Sequence, residues 1–189
     1  MNIFYLHEDP VKAAQYQHNS HCVKMPLEQM QMLCTAHRLL DGELYIGRTK
    51  VGHKVKRWFM PDDRENTLYK ATHVNHPSNV WIRESLENYQ WAYDHFIALC
   101  NEYTLRYGKI HKCERDLAEI VKAPPNNLTK ISRTPLPQAM PDQYKHENPV
   151  VAYRTYYLAE KLGNAVYTNR EVPSWVPESL QVTEKTVER

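Results

Sequence analysis

Apolar residues recurring at helical spacing, repeated cap-and-stop signals and a shortage of alternating segments predict a mainly α fold. The expected architecture is a single compact helical domain around one long central helix, with a small β-hairpin at 43–59. The length of 189 residues suits one sizeable core. The domain is expected over 1–180, and the polar stretch 181–189 reads as a disordered tail.

Taken in order, Asn2 to Leu6 is a short apolar lead or strand. Asp9-Pro10 opens a helix, with Asp as N-cap and Pro in the first turn, expected to run to about His18. A second helix is expected from His21 to Leu40, burying Val23, Leu27, Met30, Leu33, Cys34 and Leu40. Pro26 either opens or kinks it, because proline has no N–H to donate. Asp41-Gly42 ends it, and partial alternation from Glu43 to Phe59 predicts the hairpin.

The central helix is expected from a cap at Ser78 to a stop at Gly108. Ile82, Leu86, Tyr89, Tyr93, Phe96, Cys100, Tyr103 and Tyr107 alternate four and three residues apart and fall on one face of it. A shorter helix follows from Cys113 to Ala123. The stretch 124–141 holds five prolines and no glycine, which predicts a stiff segment lying over the domain. Asn148-Pro149 opens a last helix, reaching Lys161.

Composition bounds the function. A net charge of +2 requires no polyanionic partner, so a nucleic-acid surface must come from local clustering. No apolar run approaches 18 residues, and the first residues lack the basic and apolar blocks of a signal peptide. Cys22, Cys34, Cys100 and Cys113 form no close pair and read as reduced thiols, which fits a cytoplasm. Five glycines leave no Walker or dinucleotide-binding loop.

Three groups of residues carry candidate chemistry. His21, Lys24 and Glu28 share a helix face, near His18. An amine beside a carboxylic acid is the pair that Schiff-base chemistry uses, although a solvated Lys–Glu pair has the same spacing. His73, Asn75, His76 and Ser78 gather where the long helix is expected to start, as an anion site or as an elaborate cap. Lys54, Lys56 and Arg57 beside Trp58, with Arg48 and Lys50, suit a phosphate backbone, or protect a sheet edge. A zinc site from His18, His21, Cys22 and Cys34 lacks paired ligand spacing.

Motifs along most of the chain carry a resemblance. Tyr5-Leu6-x-x-Asp9-Pro10, His21-x-x-Lys24-Met25, Thr35-Ala36-His37-Arg38, Lys70-Ala71-Thr72-His73-Val74-Asn75-His76-Pro77, Glu102-Tyr103-x-x-Arg106-Tyr107-Gly108-Lys109, Met140-Pro141 and Tyr153-Arg154-x-Tyr156-Tyr157 resemble a family of small proteins from tailed phages of marine bacteria. That resemblance implies no activity. The chain is also similar to pyrimidine-dimer DNA glycosylases of the small phage endonuclease V type, which are all-helical single domains. The similarity rests on His21 followed seven residues later by Glu28, on Asn75-His76-Pro77 before a long helix, and on Arg106-Tyr107-Gly108.

That second resemblance implies a base-processing enzyme on double-stranded DNA, a glycosylase with AP-lyase activity serving repair. Glu28 would be the acid/base, with His21 close by, and no cofactor or metal is needed. In that family the nucleophile is the α-amine of a small second residue, exposed once Met1 is removed. Asn2 is too large for efficient removal, so the amine falls to Met1 or to Lys24. Lys54, Lys56, Arg57, Trp58, His73, Asn75, His76 and Arg83 are the expected DNA contacts. The alternatives are a non-catalytic phage accessory protein that binds a host protein or a nucleotide, and a metal-dependent hydrolase using His18, His21, His73 and His76.

Overall fold

The computed structural model of the chain describes residues 1–163 and 165–180, so the expected tail at 181–189 lies outside the described residues. Among the described residues the architecture is mainly α, with seven helices and one two-stranded antiparallel sheet. No helix there is long and apolar enough to cross a membrane.

Ile3, Phe4, Tyr5 and Leu6 form an extended lead that is buried on both sides. It threads the core instead of pairing as a strand. Asp9 then caps α1 (Pro10–Gln15), its Oδ1 accepting from the Lys12 N–H at 2.9 Å. The helix stops short of His18 because the next residues are held elsewhere. Arg106 donates to the Gln17 carbonyl at 2.8 Å, and the His18 N–H donates to the Tyr157 hydroxyl at 3.1 Å.

α2 (Asn19–Asp41) starts earlier than expected and carries Pro26 within it. The expected face needs correction. Val23 and Leu27 are exposed and Leu40 is half-buried, whereas Cys22, Met25 and Met32 fill the core. The reason is packing on several sides: α2 touches three later helices, at 77–82, 86–107 and 112–122, so a single stripe underestimates its buried surface.

The hairpin is present as β1 (Glu43–Arg48) and β2 (Lys54–Phe59), in register from Glu43 opposite Phe59 to Arg48 opposite Lys54. A turn of α3 (Arg64–Thr67) follows. Arg38 of α2 welds this region to the domain. It is buried, and its guanidinium donates to the Trp58, Glu65, Leu68 and Tyr69 carbonyls and to the Glu65 carboxylate.

The expected long helix is two helices. α4 (Pro77–Ile82) is capped by the His76 imidazole, not by Ser78. The chain leaves helical geometry at Arg83, and Ser85 caps α5 (Leu86–Tyr107), its hydroxyl accepting from the Asn88 N–H at 3.2 Å. Gly108 stops α5 in left-handed geometry at φ +65°, where a side chain would be strained. Five stripe residues are buried, Ile82, Tyr89, Tyr93, Phe96 and Cys100, while Tyr107 at the end is exposed. α1 and α2 both pack against α5, so Trp91, Ala92, Ala98 and Leu99 are buried as well.

α6 (Lys112–Lys122) closes one side of the core with Leu117 and Val121. The proline-rich stretch lies over α4 and α5 as expected. The Trp81 indole donates to the Thr134 carbonyl at 3.0 Å, and Asn88 exchanges two hydrogen bonds with Thr134. α7 (Pro149–Glu160), capped by Asn148 onto the Val150 and Val151 N–H groups, packs Tyr153 and Tyr157 inward.

Candidate active site

The carboxylate of Glu28 gathers a polar cluster around it. It projects from α2 toward the start of the chain. Its Oε2 accepts from the Asn2 N–H at 3.2 Å and lies 3.5 Å from the Met1 amine. Its Oε1 takes the Lys24 ammonium at 2.9 Å across one helical turn. Pro26 between them removes only its own backbone donor and leaves this four-residue spacing intact. The Glu28 side chain keeps 13% exposure and Lys24 keeps 64%, so one side of the carboxylate faces solvent.

The chain start is clamped by a residue that sequence reading treats only as an obstacle to processing. The Asn2 amide donates to the Ala139 carbonyl at 3.0 Å. Its Oδ1 accepts from the Ile3 N–H at 2.9 Å and from the Ser78 hydroxyl at 3.3 Å. Tyr153 stands 3.4 Å from the same oxygen, its hydroxyl donating to the Pro137 carbonyl. Four segments far apart in sequence thus converge on residues 1–2. Asn2, Ser78 and Tyr153 carry no local pattern by which sequence could assign them to this place.

His76 belongs to the same cluster. Burial lowers its imidazole below the ordinary histidine range, and the Met1 amine and His73 push the same way against the pull of Glu28. It is therefore neutral at pH 7, with Nδ1 committed to the Ser78 N–H. His73 and Asn75 are exposed on the loop before it, His73 at φ +46°. Asn79 holds this loop through the Thr72 and His73 carbonyls.

Two expected site residues are placed elsewhere. His21 is not beside Glu28 but stacks on Phe4 and His18, and its Nδ1 accepts from the Tyr157 hydroxyl at 2.9 Å. Burial, then His18, lowers it to about 3, so it is a neutral, half-buried ring at the edge of the core. Arg83 does not face outward for a phosphate. It turns inward onto the Val74 carbonyl at 2.6 Å, because the chain leaves the helix at that position.

Among the described residues no three or more His, Cys, Asp or Glu side chains gather as a metal site. The grouping of His18, His21, Cys22 and Cys34 is therefore not assembled. All four cysteines are buried and free. Lys54 and Lys56 are exposed, and Arg57 and Trp58 are half-buried, on the projecting hairpin. Comparison with known proteins gave no match to a family model, a curated protein or a solved structure.

Proposed function

We propose that the chain is a DNA glycosylase with AP-lyase activity, in which Glu28 serves an amine nucleophile. The observation that carries this reading is the convergence of two amines, from Met1 and Lys24, on one partly exposed carboxylate. Imine chemistry on a sugar needs that arrangement: an amine close enough to a carboxylic acid to exchange a proton with it.

The steps are as follows. The target nucleotide is extruded from the duplex onto this cluster. An unprotonated amine attacks C1′ of its sugar, the bond from C1′ to the base breaks, and the base leaves with the electron pair and takes a proton from water. Glu28 takes the proton that the amine loses and returns it to O4′ as the sugar ring opens to the imine. Water then removes a C2′ proton, a C2′–C3′ double bond forms, and the 3′ phosphate leaves with the electron pair of its bond to C3′. Asn2 contributes by holding the Met1 nitrogen on Glu28. His76 joins the cluster as a neutral side chain, and Lys54, Lys56, Arg57 and Trp58 supply the duplex contact, with His73 and Asn75 on the nearer loop.

Borohydride trapping on an abasic duplex tests the reading. A covalent adduct is expected, and mass spectrometry of the adduct peptide should place it on Met1, with intact mass reporting whether Met1 is retained. An adduct that persists in Lys24→Ala assigns the amine to Met1, and one that disappears assigns it to Lys24. Absence of both a trapped species and base release on a panel of damaged duplexes overturns the proposal in favour of a non-catalytic accessory protein.

A further inference from the structure

The hairpin has two properties that a sheet element serving only its own fold does not need. A two-stranded ribbon gains stability when one face packs on a core. Here both faces are open. Leu44 and Ile46 are more than half exposed on one face, Tyr45 and Phe59 nearly so on the other, and Val51 at the tip is 78% exposed. The ribbon also concentrates charge. Between residues 43 and 59 stand five lysines and arginines and a single carboxylate, so this arm is more positive than the whole chain at +2. Two such arms repel one another, and the lysines along the strands oppose edge-to-edge pairing with a second copy. Apolar and basic side chains interleaved on both faces fit a polyanion whose groove offers base edges and methyl groups between two rows of phosphates, which is a nucleic-acid duplex.

The arm is rigidly rooted and points away from the domain. Arg38 holds the Trp58 carbonyl at 2.9 Å, and the buried Met60 donates its N–H to Glu65 at 2.9 Å. At Gly42 a β-carbon would come within 2.4 Å of the Arg38 carbonyl, so the chain enters the ribbon at closest approach to α2. The tip turns through Gly52 at φ +88°. Six residues per strand give the arm a reach of about 20 Å.

Its root and Glu28 lie on one stripe of α2. The stripe runs Glu28, Thr35, Arg38 at intervals of seven and three residues. The chain leaving the ribbon returns along this stripe: Leu68 and Tyr69 meet Arg38, the Thr72 N–H meets Thr35 at 3.2 Å, and His76 reaches the Glu28 cluster. Ten residues separate Glu28 from Arg38, about 15 Å along the helix axis. At about 3.4 Å per nucleotide along a strand, that is four to five base pairs.

Resting on the glycosylase reading above, we infer that the ribbon seats in the major groove about four to five base pairs to one side of the nucleotide over Glu28. A two-stranded ribbon fits that groove: Lys54 and Lys56 share one face with Leu44 and Ile46, Arg57 shares the other with Tyr45 and Phe59, and the long basic side chains of both faces reach the phosphates that border the groove. The enzyme therefore needs duplex on one flank of its target and not on the other.

The test is equilibrium binding of the full chain to duplexes carrying a central tetrahydrofuran abasic analogue, with either flank trimmed to about three base pairs. Trimming one flank is expected to weaken binding at least about tenfold, and trimming the other to leave it unchanged. The K54A/K56A/R57A variant should lose that one-sided dependence and lower the salt slope by about 0.9 for each phosphate contact removed. Equal dependence on both flanks, or an unchanged salt slope in the variant, overturns the inference, as does a variant that changes only the oligomeric state seen by light scattering. The flank measurement uses the unaltered chain and does not depend on the variant folding. Borohydride trapping separates the two readings: one-sided binding without trapping sinks the chemistry and keeps the docking, and trapping without one-sided binding does the reverse.

Discussion

Two charge pairs of this protein have the same four-residue spacing and opposite fates. Lys24–Glu28 on α2 and Glu102–Arg106 on α5 both close a salt bridge across one helical turn, at 2.9 and 3.0 Å. The Glu102 and Arg106 side chains are almost fully buried. Glu102 also takes two donors from Arg170, and Arg106 also donates to the Gln15 and Gln17 carbonyls and to Asn19. Every polar valence is spent on joining α1, the start of α2 and the chain near 170, so this pair is structural. Glu28 instead receives its partners from a chain start and a lysine that is 64% exposed, and keeps 13% exposure itself. A charged pair becomes a candidate site through what surrounds it, not through its spacing.

The sharpest way to break this contrast is to neutralise both carboxylates. Glu102→Gln strands the buried Arg106, also takes a partner from the half-buried Arg170, and is expected to cost about 3–5 kcal/mol in denaturant unfolding. A loss below about 1 kcal/mol would show that the network is not structural. Glu28→Gln should leave stability within about 1 kcal/mol of the parent. The same change should slow base release at least about a hundredfold by removing the proton acceptor while keeping duplex binding. Equal kinetic effects from Glu28→Gln and Glu102→Gln, measured on folded protein, would erase the distinction.

Acid sharpens the comparison further. Burial lowers His18 and His37 to about 4 and His21 and His95 to about 3, and Arg106 adds to the effect at His18. The native state holds these rings neutral, while the unfolded chain binds their protons near pH 6.5. Their contribution is therefore complete above about pH 6.5 and is lost progressively as pH falls toward 4 and then 3. Unfolding midpoints should drop between pH 7 and pH 5, and His18→Gln should flatten that drop. A midpoint that stays level over this range would contradict the buried-neutral assignment. The smallest effect is expected from Lys24→Ala, within about 0.5 kcal/mol in stability because the lysine itself is 64% exposed.

Where a structural signal is local, the sequence carries it in full. Asp9-Pro10 and Asn148-Pro149 open helices because side chain and backbone a few residues apart satisfy each other. Gly108 ends α5 because left-handed backbone suits glycine. The hairpin is likewise visible in its alternation and turn. The break in the central helix is not visible, since Ser78 and Ser85 are equivalent by residue type. It is decided by the proline-rich segment, whose Lys130 and Ile131 carbonyls take the Leu86 and Glu87 N–H groups at 2.7 and 3.1 Å and so open α5 there. The face of α2 was misread for a similar reason, because several neighbours bury it.

For the candidate site, sequence by itself determined the pairing of Lys24 with Glu28, which depends only on helix periodicity, and the basic character of the arm at 43–59. Tertiary structure alone decided that Met1, Asn2 and His76 meet at Glu28 and that Ser78 and Tyr153 meet at Asn2, that His21 and Arg83 turn inward, and that the arm stands clear of the core. The physical reason is range. Caps, turns and helical spacing are settled within a few residues, whereas the burial of a side chain, and with it the fate of a charge, depends on segments as far apart as Asn2 and Tyr153.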